Sequence, residues 1–266
     1  MSVSLLDRFL LTDKVASVTG AGRGIGRGIA IGFADAGADL VVASRTQADL
    51  DSTASEVRSR GRRALTVVTD VMVTEDLEHL VEATVAEFGK VDVLVNNAGG
   101  TYPAAALQTS ERFFETALRF NVTQAFLLTK MVAPQMVATA GGGAVVNISS
   151  RSSDMVQTSF VAYGTAKAAL NMMTRNLAPE LAPKVRVNAI SVGGVATDSL
   201  AVVLTDEKLR QQFVDGTPLG RPGTVEDIAA CALYLASPAS DWVTGKILQV
   251  DGGTESPSIA VPVPPL

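Results

Sequence analysis

Cysteine and histidine are the scarcest reactive residues of this chain. Its 266 residues include one cysteine, Cys231, and one histidine, His79. A single cysteine excludes an internal disulfide, and without a cysteine and histidine cluster we expect no bound metal. A catalytic scheme that depends on histidine is not expected either. Cys231 stands in an apolar run, which predicts a buried small hydrophobe rather than a reactive thiol.

Long apolar runs and an excess of positive charge are also missing. No stretch reaches membrane-spanning length, and the N-terminus lacks the basic-then-apolar pattern of a signal peptide. The net charge of -5 and the pI near 5.0 argue against binding to nucleic acid or to an anionic membrane. We therefore expect a cytoplasmic protein without nucleic-acid or membrane partners.

The composition predicts one folded domain. With 47% apolar and 18% charged residues, the chain can bury a large core. We expect this domain to span residues 1–254, since no linker or internal repeat interrupts them. Residues 255–266 carry four prolines, which exclude regular structure. This tail could be a disordered end or an extended arm on a neighbour, and the sequence leaves both open.

Short β-type runs alternate with helical patterns along the chain. Strands are predicted near residues 14–19, 39–43, 64–69, 91–95, 143–149, 185–191 and 246–250. This alternation predicts an α/β fold with a doubly wound parallel sheet, similar to a Rossmann fold, in a single domain.

A glycine-rich turn joins the first predicted strand to the first helix. Its sequence is Thr19-Gly20-Ala21-Gly22-Arg23-Gly24-Ile25-Gly26. Glycines there let backbone amides approach a pyrophosphate at a helix N-terminus, where unpaired N–H groups favour an anion. The spacing is Gly-x-x-x-Gly-x-Gly rather than the common dinucleotide fingerprint, and a plain tight turn is the alternative.

Tyr163 and Lys167 stand four residues apart in a predicted helix, so both side chains project from one face. A free tyrosine titrates near ~10, and a neighbouring cation is expected to lower that pKa. The pair is suited to acid/base chemistry on a carbonyl. A surface pair without function is the alternative, because this spacing also arises by chance.

With these two motifs the chain resembles the short-chain dehydrogenase/reductase family over residues 12–254. The further marks follow in order: Asp70-Val71, Asn96-Asn97-Ala98-Gly99, Asn121, Asn147-Ile148-Ser149-Ser150, Arg186-Val187-Asn188-Ala189-Ile190 and Val250-Asp251-Gly252-Gly253. The resemblance implies a nicotinamide-dependent oxidoreductase with a small-molecule substrate and a homotetrameric assembly.

The end of the second strand predicts which cofactor is preferred. An NAD-binding chain places an acid about 20 residues after the motif glycine, where this chain has Ser44-Arg45-Thr46. Arg45 and Arg23 offer guanidinium groups suited to a 2'-phosphate, and Thr46 adds a hydroxyl. We therefore expect NADP(H) rather than NAD(H). The alternative for Arg45 is a solvent-facing residue at the strand end.

The resemblance assigns the remaining cofactor positions. It implies that Asp70 and Val71 hold the adenine, although Asp70 could instead cap the helix that begins near Thr74. The complete predicted cofactor set is Gly20, Arg23, Gly24, Ile25, Gly26, Ser44, Arg45, Thr46, Asp70, Val71, Asn97, Ala98, Gly99, Tyr163, Lys167, Gly193, Val195 and Thr197.

Four catalytic residues are implied by the family match. Tyr163 exchanges a proton with the substrate oxygen, Lys167 holds the cofactor ribose and stabilises the phenolate, and Ser150 donates to the reacting oxygen. Asn121 interrupts a helix and holds a water for a proton relay. Ser149 competes with Ser150, and alignment on Asn147-Ile148 favours Ser150.

These assignments predict an NADP(H)-dependent enzyme acting on a mainly apolar ketone or secondary alcohol. The substrate lid is expected at residues 193–216, joined by 100–103 and 151–160. Its predicted apolar wall consists of Tyr102, Met155, Val156, Phe160, Leu200, Val202, Val203, Leu204 and Phe213. One alternative is a 3-oxoacyl reductase acting on an acyl carrier protein, which the uncharged connection 136–143 disfavours. The other is a non-catalytic NADP sensor.

Two positions depart from the family pattern. Val192-Gly193 replaces the usual Pro-Gly after the sixth strand, which frees φ at residue 192. Pro179 falls where the helix that bears Tyr163 should still continue, and an interior proline costs about 3 kcal/mol. We expect a kink or an early end of the helix there.

Overall fold

A computed structural model describes residues 4–197, 200, 205–258 and 263–264. Its strands are β1 Val15–Thr19, β2 Asp39–Ser44, β3 Ala64–Val68, β4 Val93–Asn96, β5 Gly143–Ser150, β6 Val185–Val192 and β7 Ile247–Val250. Its α-helices are α1 Gly24–Asp35, α2 Gln47–Ser59, α3 Thr74–Phe88, α4 Glu111–Leu118, α5 Gln124–Ala140, α6 Val161–Leu181, α7 Glu207–Asp215 and α8 Val225–Ala236. Each predicted strand lies within two residues of an observed one.

The seven strands form one parallel sheet in the order β3-β2-β1-β4-β5-β6-β7. This confirms the predicted doubly wound sheet. The strand order reverses between β1 and β4, which pair along their length. In open α/β sheets a crevice forms outside the carboxyl ends of the strands at such a point. The long pair of β5 and β6 brings Ser150 level with Val192 at that edge.

Helices cover both faces of the sheet. Consecutive strand residues point to opposite faces, so Val42 packs into the layer that contains α1 and α8, whereas Val41 packs into the layer of α3 and α5. Phe33 of α1 and Leu128 of α5 are fully buried in these two layers. Apolar runs of β-branched residues therefore suit strands that are buried on both faces.

At Pro179 we expected either a kink or an early end of the helix, and the early end is wrong. Helix α6 continues through Pro179 to Leu181. The proline removes one bond to the carbonyl of Arg175, four residues earlier, and Arg175 itself is exposed. The helix ends two residues later, so little of it remains to be disturbed.

Within the described part of the chain, no helix is both long and apolar enough to cross a bilayer. Cys231 lies on α8, where it is partly buried. Desolvation raises its pKa to about 11, which keeps the thiol protonated near neutral pH and agrees with an unreactive side chain.

Candidate active site

A cleft of about 830 Å³ opens at the carboxyl edge of the sheet. It brings together most of the predicted site residues from seven separate stretches of the chain. The predicted residues that line it are Gly20, Arg23, Gly24, Ile25, Ser44, Arg45, Thr46, Asp70, Val71, Asn97, Ala98, Gly99, Ser150, Tyr163, Lys167, Gly193, Val195 and Thr197. Gly26 and Asn121 do not line the cleft and lie behind its surface.

The glycine turn is packed too tightly for side chains. Gly20 has a φ of 65°, which favours glycine. A Cβ at Gly26 would overlap the carbonyl oxygen of Gly20. Gly26 therefore allows α1 to begin directly against the turn, with its first backbone amides at the cleft. This arrangement fits the pyrophosphate of a dinucleotide.

Asn97 braces the glycine turn from the end of β4. Its amide nitrogen donates to the carbonyl oxygens of Thr19, at 2.8 Å, and Gly20, at 3.2 Å. The Thr19 hydroxyl in turn accepts from the backbone N–H groups of Asn97 and Ala98. These bonds hold the end of β1 against the end of β4. Asn97 thereby fixes the backbone of the glycine turn, where a nucleotide would bind.

The end of β2 has an unsatisfied polar atom. The hydroxyl of Ser44 is buried and has no hydrogen-bond partner among the described residues, as expected of a group that binds a ligand. Arg45 beside it is exposed. Asp49, which belongs to none of the sequence motifs, lies in the first turn of α2 and also lines the cleft. Its Cβ lies 2.8 Å from the position of a Cβ at Gly22.

Asp70 shapes the turn that follows β3. Its carboxylate accepts from the backbone N–H of Met72 at 3.0 Å, and its own N–H donates to Asp76 at 2.8 Å. Helix α3 begins after Val73 without a side-chain cap. Asp70 is therefore not the cap of α3, and its side chain stands in the cleft wall.

Ser150 and Tyr163 are joined by a hydrogen bond between their hydroxyl groups. The Ser150 hydroxyl also accepts from the backbone N–H of Ser152 at 3.2 Å. Ser149 also borders the cleft, but successive residues of β5 face opposite sides of the sheet. The Ser149 hydroxyl donates to the carbonyl of Lys167 at 3.4 Å, and the residue is buried. The geometry therefore favours Ser150 over Ser149 as the partner of Tyr163.

The pKa of Tyr163 is shifted in the direction opposite to our expectation. Burial raises it above its ordinary value, and the hydrogen bond from Ser150 opposes that shift only in part. Lys167 contributes no lowering, because desolvation reduces its own pKa to about 8 and its ammonium donates to the carbonyl of Ile148 at 2.8 Å. The Lys167 nitrogen lies 5.7 Å from the centre of the Tyr163 ring. In this structure burial dominates over the neighbouring cation.

Asn121 lies in a π-helical segment, Arg119–Thr123, between α4 and α5. This agrees with the predicted interruption of a helix. Its amide oxygen accepts from the N–H of Gly100 at 2.8 Å, and its amide nitrogen donates to the carbonyls of Gly100 and Ala117. A Cβ at Gly99 would lie 2.8 Å from the Asn121 oxygen and 3.2 Å from the Lys167 nitrogen, so both groups approach the same glycine.

The substrate end of the cleft is less apolar than predicted. Tyr102, Met155, Phe160 and Leu200 line it as expected. Val156 and Phe213 do not line the cleft. Val156 is 92% exposed to solvent, and Phe213 is buried against Gly194. Residues 202–204 lie outside the described residues. Polar wall residues that sequence analysis did not single out are Arg151, Ser152, Gln157, Thr254 and Ser258.

Metal chemistry finds no support among the described residues. No group of three or more histidine, cysteine, aspartate or glutamate side chains in the described ranges could hold an ion. The donors in the cleft are hydroxyl, amide and cationic groups, which suit an organic phosphate and a carbonyl oxygen.

Residues 20–255 match the family model described as enoyl-(acyl carrier protein) reductase. The chain is 48% identical to an uncharacterised oxidoreductase of Mycobacterium tuberculosis, over 98% of this chain and 100% of the relative. It is also 39% identical to the 7alpha-hydroxysteroid dehydrogenase of Escherichia coli, over 93% of this chain and 96% of the relative. The chain belongs to the short-chain dehydrogenase/reductase family.

Solved structures of this family share the fold closely. A 7alpha-hydroxysteroid dehydrogenase complexed with NADH and 7-oxo glycochenodeoxycholic acid superposes with a TM-score of 0.90, at 37% identity over 96% of this chain and 98% of that one. A gluconate 5-dehydrogenase from Burkholderia cenocepacia, in complex with NADP and tartrate, superposes with a TM-score of 0.88, at 32% identity over 94% and 98%. This protein is accordingly an oxidoreductase of hydroxyl or carbonyl compounds that uses a nicotinamide cofactor.

Proposed function

We propose that this protein is an NADP(H)-dependent reductase or dehydrogenase that interconverts a mainly apolar ketone and its secondary alcohol. The observation that carries the proposal is the hydrogen-bonded pair of Ser150 and Tyr163, with Lys167 one helical turn away, in the same cleft as the glycine turn. A bound nicotinamide would supply or accept the hydride. The chain's own residues hold the reacting oxygen and move its proton.

In the reducing direction, the substrate oxygen accepts hydrogen bonds from the hydroxyls of Ser150 and Tyr163. As negative charge develops on that oxygen, Tyr163 transfers its proton to it. The raised pKa of Tyr163 keeps this group protonated at neutral pH, which suits a proton donor. Lys167, one helical turn away, would hold the ribose of the bound cofactor. Asn121, in the π-helical segment, would hold the water through which the tyrosine is reprotonated.

Substitution of Tyr163 tests this mechanism. Tyr163→Phe should abolish turnover while NADPH still binds, because only the hydroxyl is removed, and Lys167→Ala should impair both steps. Tyr234→Phe on α8 serves as the matched control and should retain activity. Appreciable turnover by Tyr163→Phe would remove the tyrosine from the mechanism.

The preference for NADP(H) rests on the end of β2. Arg45 is exposed beside the unsatisfied Ser44 hydroxyl, and no acid stands at residue 44. Asp49 in the same wall repels a 2'-phosphate. The free-energy preference for NADPH over NADH should therefore equal the attraction of the phosphate to the Arg45 guanidinium minus its repulsion by the Asp49 carboxylate. Charge-assisted bonds are worth about 1 to 3 kcal/mol, and we expect the preference within that range.

Fluorescence titration with NADPH and NADH measures this preference directly. Arg45→Ala should weaken NADPH and leave NADH nearly unchanged, whereas Arg112→Ala, which removes an exposed arginine on α4, should alter neither. Tighter binding of NADH by the unmodified protein would overturn the assignment.

A carrier-bound 3-oxoacyl substrate is the second candidate, because the matching family model is described as an acyl-carrier-protein reductase. The uncharged connection 136–143 does not argue against it, since this segment precedes β5 and lies at the sheet edge opposite the cleft. A panel of steroid ketones, diketones, sugars and 3-oxoacyl thioesters separates the candidates. Fastest turnover of a carrier-protein thioester, falling with added salt, would favour the carrier.

A further inference from the structure

Arg151 directly follows the catalytic-site serine and is one of the most buried charged residues described, at 5% exposure. Its guanidinium contacts three partners at once. One terminal nitrogen donates to the Asp154 carboxylate at 2.8 Å, and the other donates to the Thr254 carbonyl at 3.1 Å. The Nε atom lies 2.8 Å from the Asp251 carboxylate, an ion pair without hydrogen-bond geometry. Arg151 thereby joins the end of β5 to the chain that leaves β7.

A second link runs beside the first. Gln249 of β7 donates from its amide to the Asp154 carboxylate at 3.0 Å. Asp251 also organises its own turn, because it accepts from the backbone N–H of Gly253 at 2.9 Å. Glu255 approaches the guanidinium at 3.6 Å from an exposed position. The segment after β7 is therefore held by several polar contacts centred on one arginine.

The other side of this segment contacts residues 216–219, at and just beyond the end of the predicted substrate lid. The backbone N–H of Leu219 donates to the carbonyl of Gly252 at 3.0 Å. The hydroxyl of Ser258 reaches the carbonyl of Gly216, and a Cβ at Gly216 would lie 3.0 Å from the Ser258 Cβ. Thr254, Pro257 and Ser258 line the cleft together with Arg151.

We propose that Arg151 is a positioning residue that clamps the C-terminal segment 251–258 across the cleft, so that this segment forms a wall of the substrate site and restricts substrate size. The specificity part rests on the proposed carbonyl oxidoreductase function. The clamp itself is independent of substrate identity. Arginine suits this role because its planar fork binds two carboxylates and a carbonyl simultaneously, which the point charge of a lysine cannot reproduce.

The same contacts mean that Arg151 is not a receptor for a substrate carboxylate. Asp154 and Asp251 already neutralise it, and Glu255 adds further negative charge. The other cations of the described cleft wall are Lys167 and, at the proposed nucleotide end, Arg23 and Arg45. A substrate that is uncharged near its reacting carbon is therefore favoured at this wall.

Hydrogen exchange followed by mass spectrometry tests the clamp without any substrate. In Arg151→Lys and Arg151→Met, amides of residues 251–258 should exchange on the order of tenfold faster than in the unmodified protein, while β1 and α1 exchange unchanged. Arg175→Met, which removes an exposed arginine on α6, is the control and should leave the segment protected. Unchanged protection in both Arg151 variants would overturn the clamp.

A chain that ends at Thr254 tests the wall and remains informative if the Arg151 variants fold poorly. NADPH affinity should be unchanged. KM for a polycyclic ketone and KM for a small cyclic ketone should shift by different factors, so that the ratio of their kcat/KM values changes on the order of tenfold. Equal selectivity in the truncated and full chains would refute the wall. Failure of the full chain to reduce any ketone would refute the proposed function and leave the exchange result standing.

Discussion

The protonated side chain of Lys167, which predominates at neutral pH, destabilises the folded protein. The residue is 3% exposed, and burial lowers its pKa from 10.5 to about 8. At 1.36 kcal/mol per pKa unit, this shift amounts to about 3 kcal/mol of unfavourable free energy. The hydrogen bond to Ile148 offsets about 1 kcal/mol. We therefore expect Lys167→Met to raise the free energy of unfolding by about 2 kcal/mol near neutral pH, while turnover is lost.

The pH dependence gives this prediction its sign. Because the folded-state pKa lies below the unfolded-state value, the unfolded chain binds more protons between about pH 8 and pH 10.5. The opposing free energy is fully present below this window and disappears as the pH rises through it. The unmodified protein should therefore gain stability over the window, and the advantage of Lys167→Met should shrink by the same amount.

Urea denaturation of the nucleotide-free protein at about pH 7 and about pH 9.5, at a fixed protein concentration, measures both effects. Lys130→Met is the matched control, because Lys130 is exposed on α5 and should show no pH-dependent advantage. The reasoning is refuted if Lys167→Met is less stable than the unmodified protein at the lower pH, or if its advantage is equal at both.

Three further outcomes are expected. Ser150→Ala should reduce kcat far more than Ser149→Ala, measured with any ketone that the panel identifies, and equal losses would contradict the observed orientations. Asp227→Ala removes half of the reciprocal cap with Thr224 at the start of α8 and should lower the free energy of unfolding by about 1 kcal/mol in urea denaturation. Light scattering should give a tetramer, since α5 and α6 expose apolar side chains such as Met172; a monomer mass at micromolar concentration would refute this.

The sheet was predictable because its information is local. Short apolar runs with β-branched residues mark each strand to within two residues, and the alternation with helices indicates parallel pairing. The choice of Ser150 over Ser149 came from the family motif at Asn147-Ile148. The two-residue period of a strand shows only that the two serines face opposite sides, and the contacts of each hydroxyl agree with that choice.

The remaining errors come from contacts that are distant in sequence or from burial. Nothing local to Arg151 reveals that Asp251, one hundred residues later, neutralises it. The pKa of Tyr163 was expected to fall because Lys167 is near in sequence, yet the protein surrounding both groups determines desolvation. Helix propensity alone led us to expect a kink or an early end at Pro179, but propensity does not show that the helix would end only two residues later in any case.

The π-helical segment at Arg119–Thr123 ties the active site to the outer surface of the protein. Such a segment accommodates one additional residue in a helical path, and one residue turns an α-helix by about 100°. Deletion of one residue would make this segment α-helical but would rotate α5 about its axis. Asn121 and the exposed face of α5 would then no longer keep their relative angle. Length changes here should therefore be tolerated far less than single substitutions, because they alter the phase of α5 as a whole.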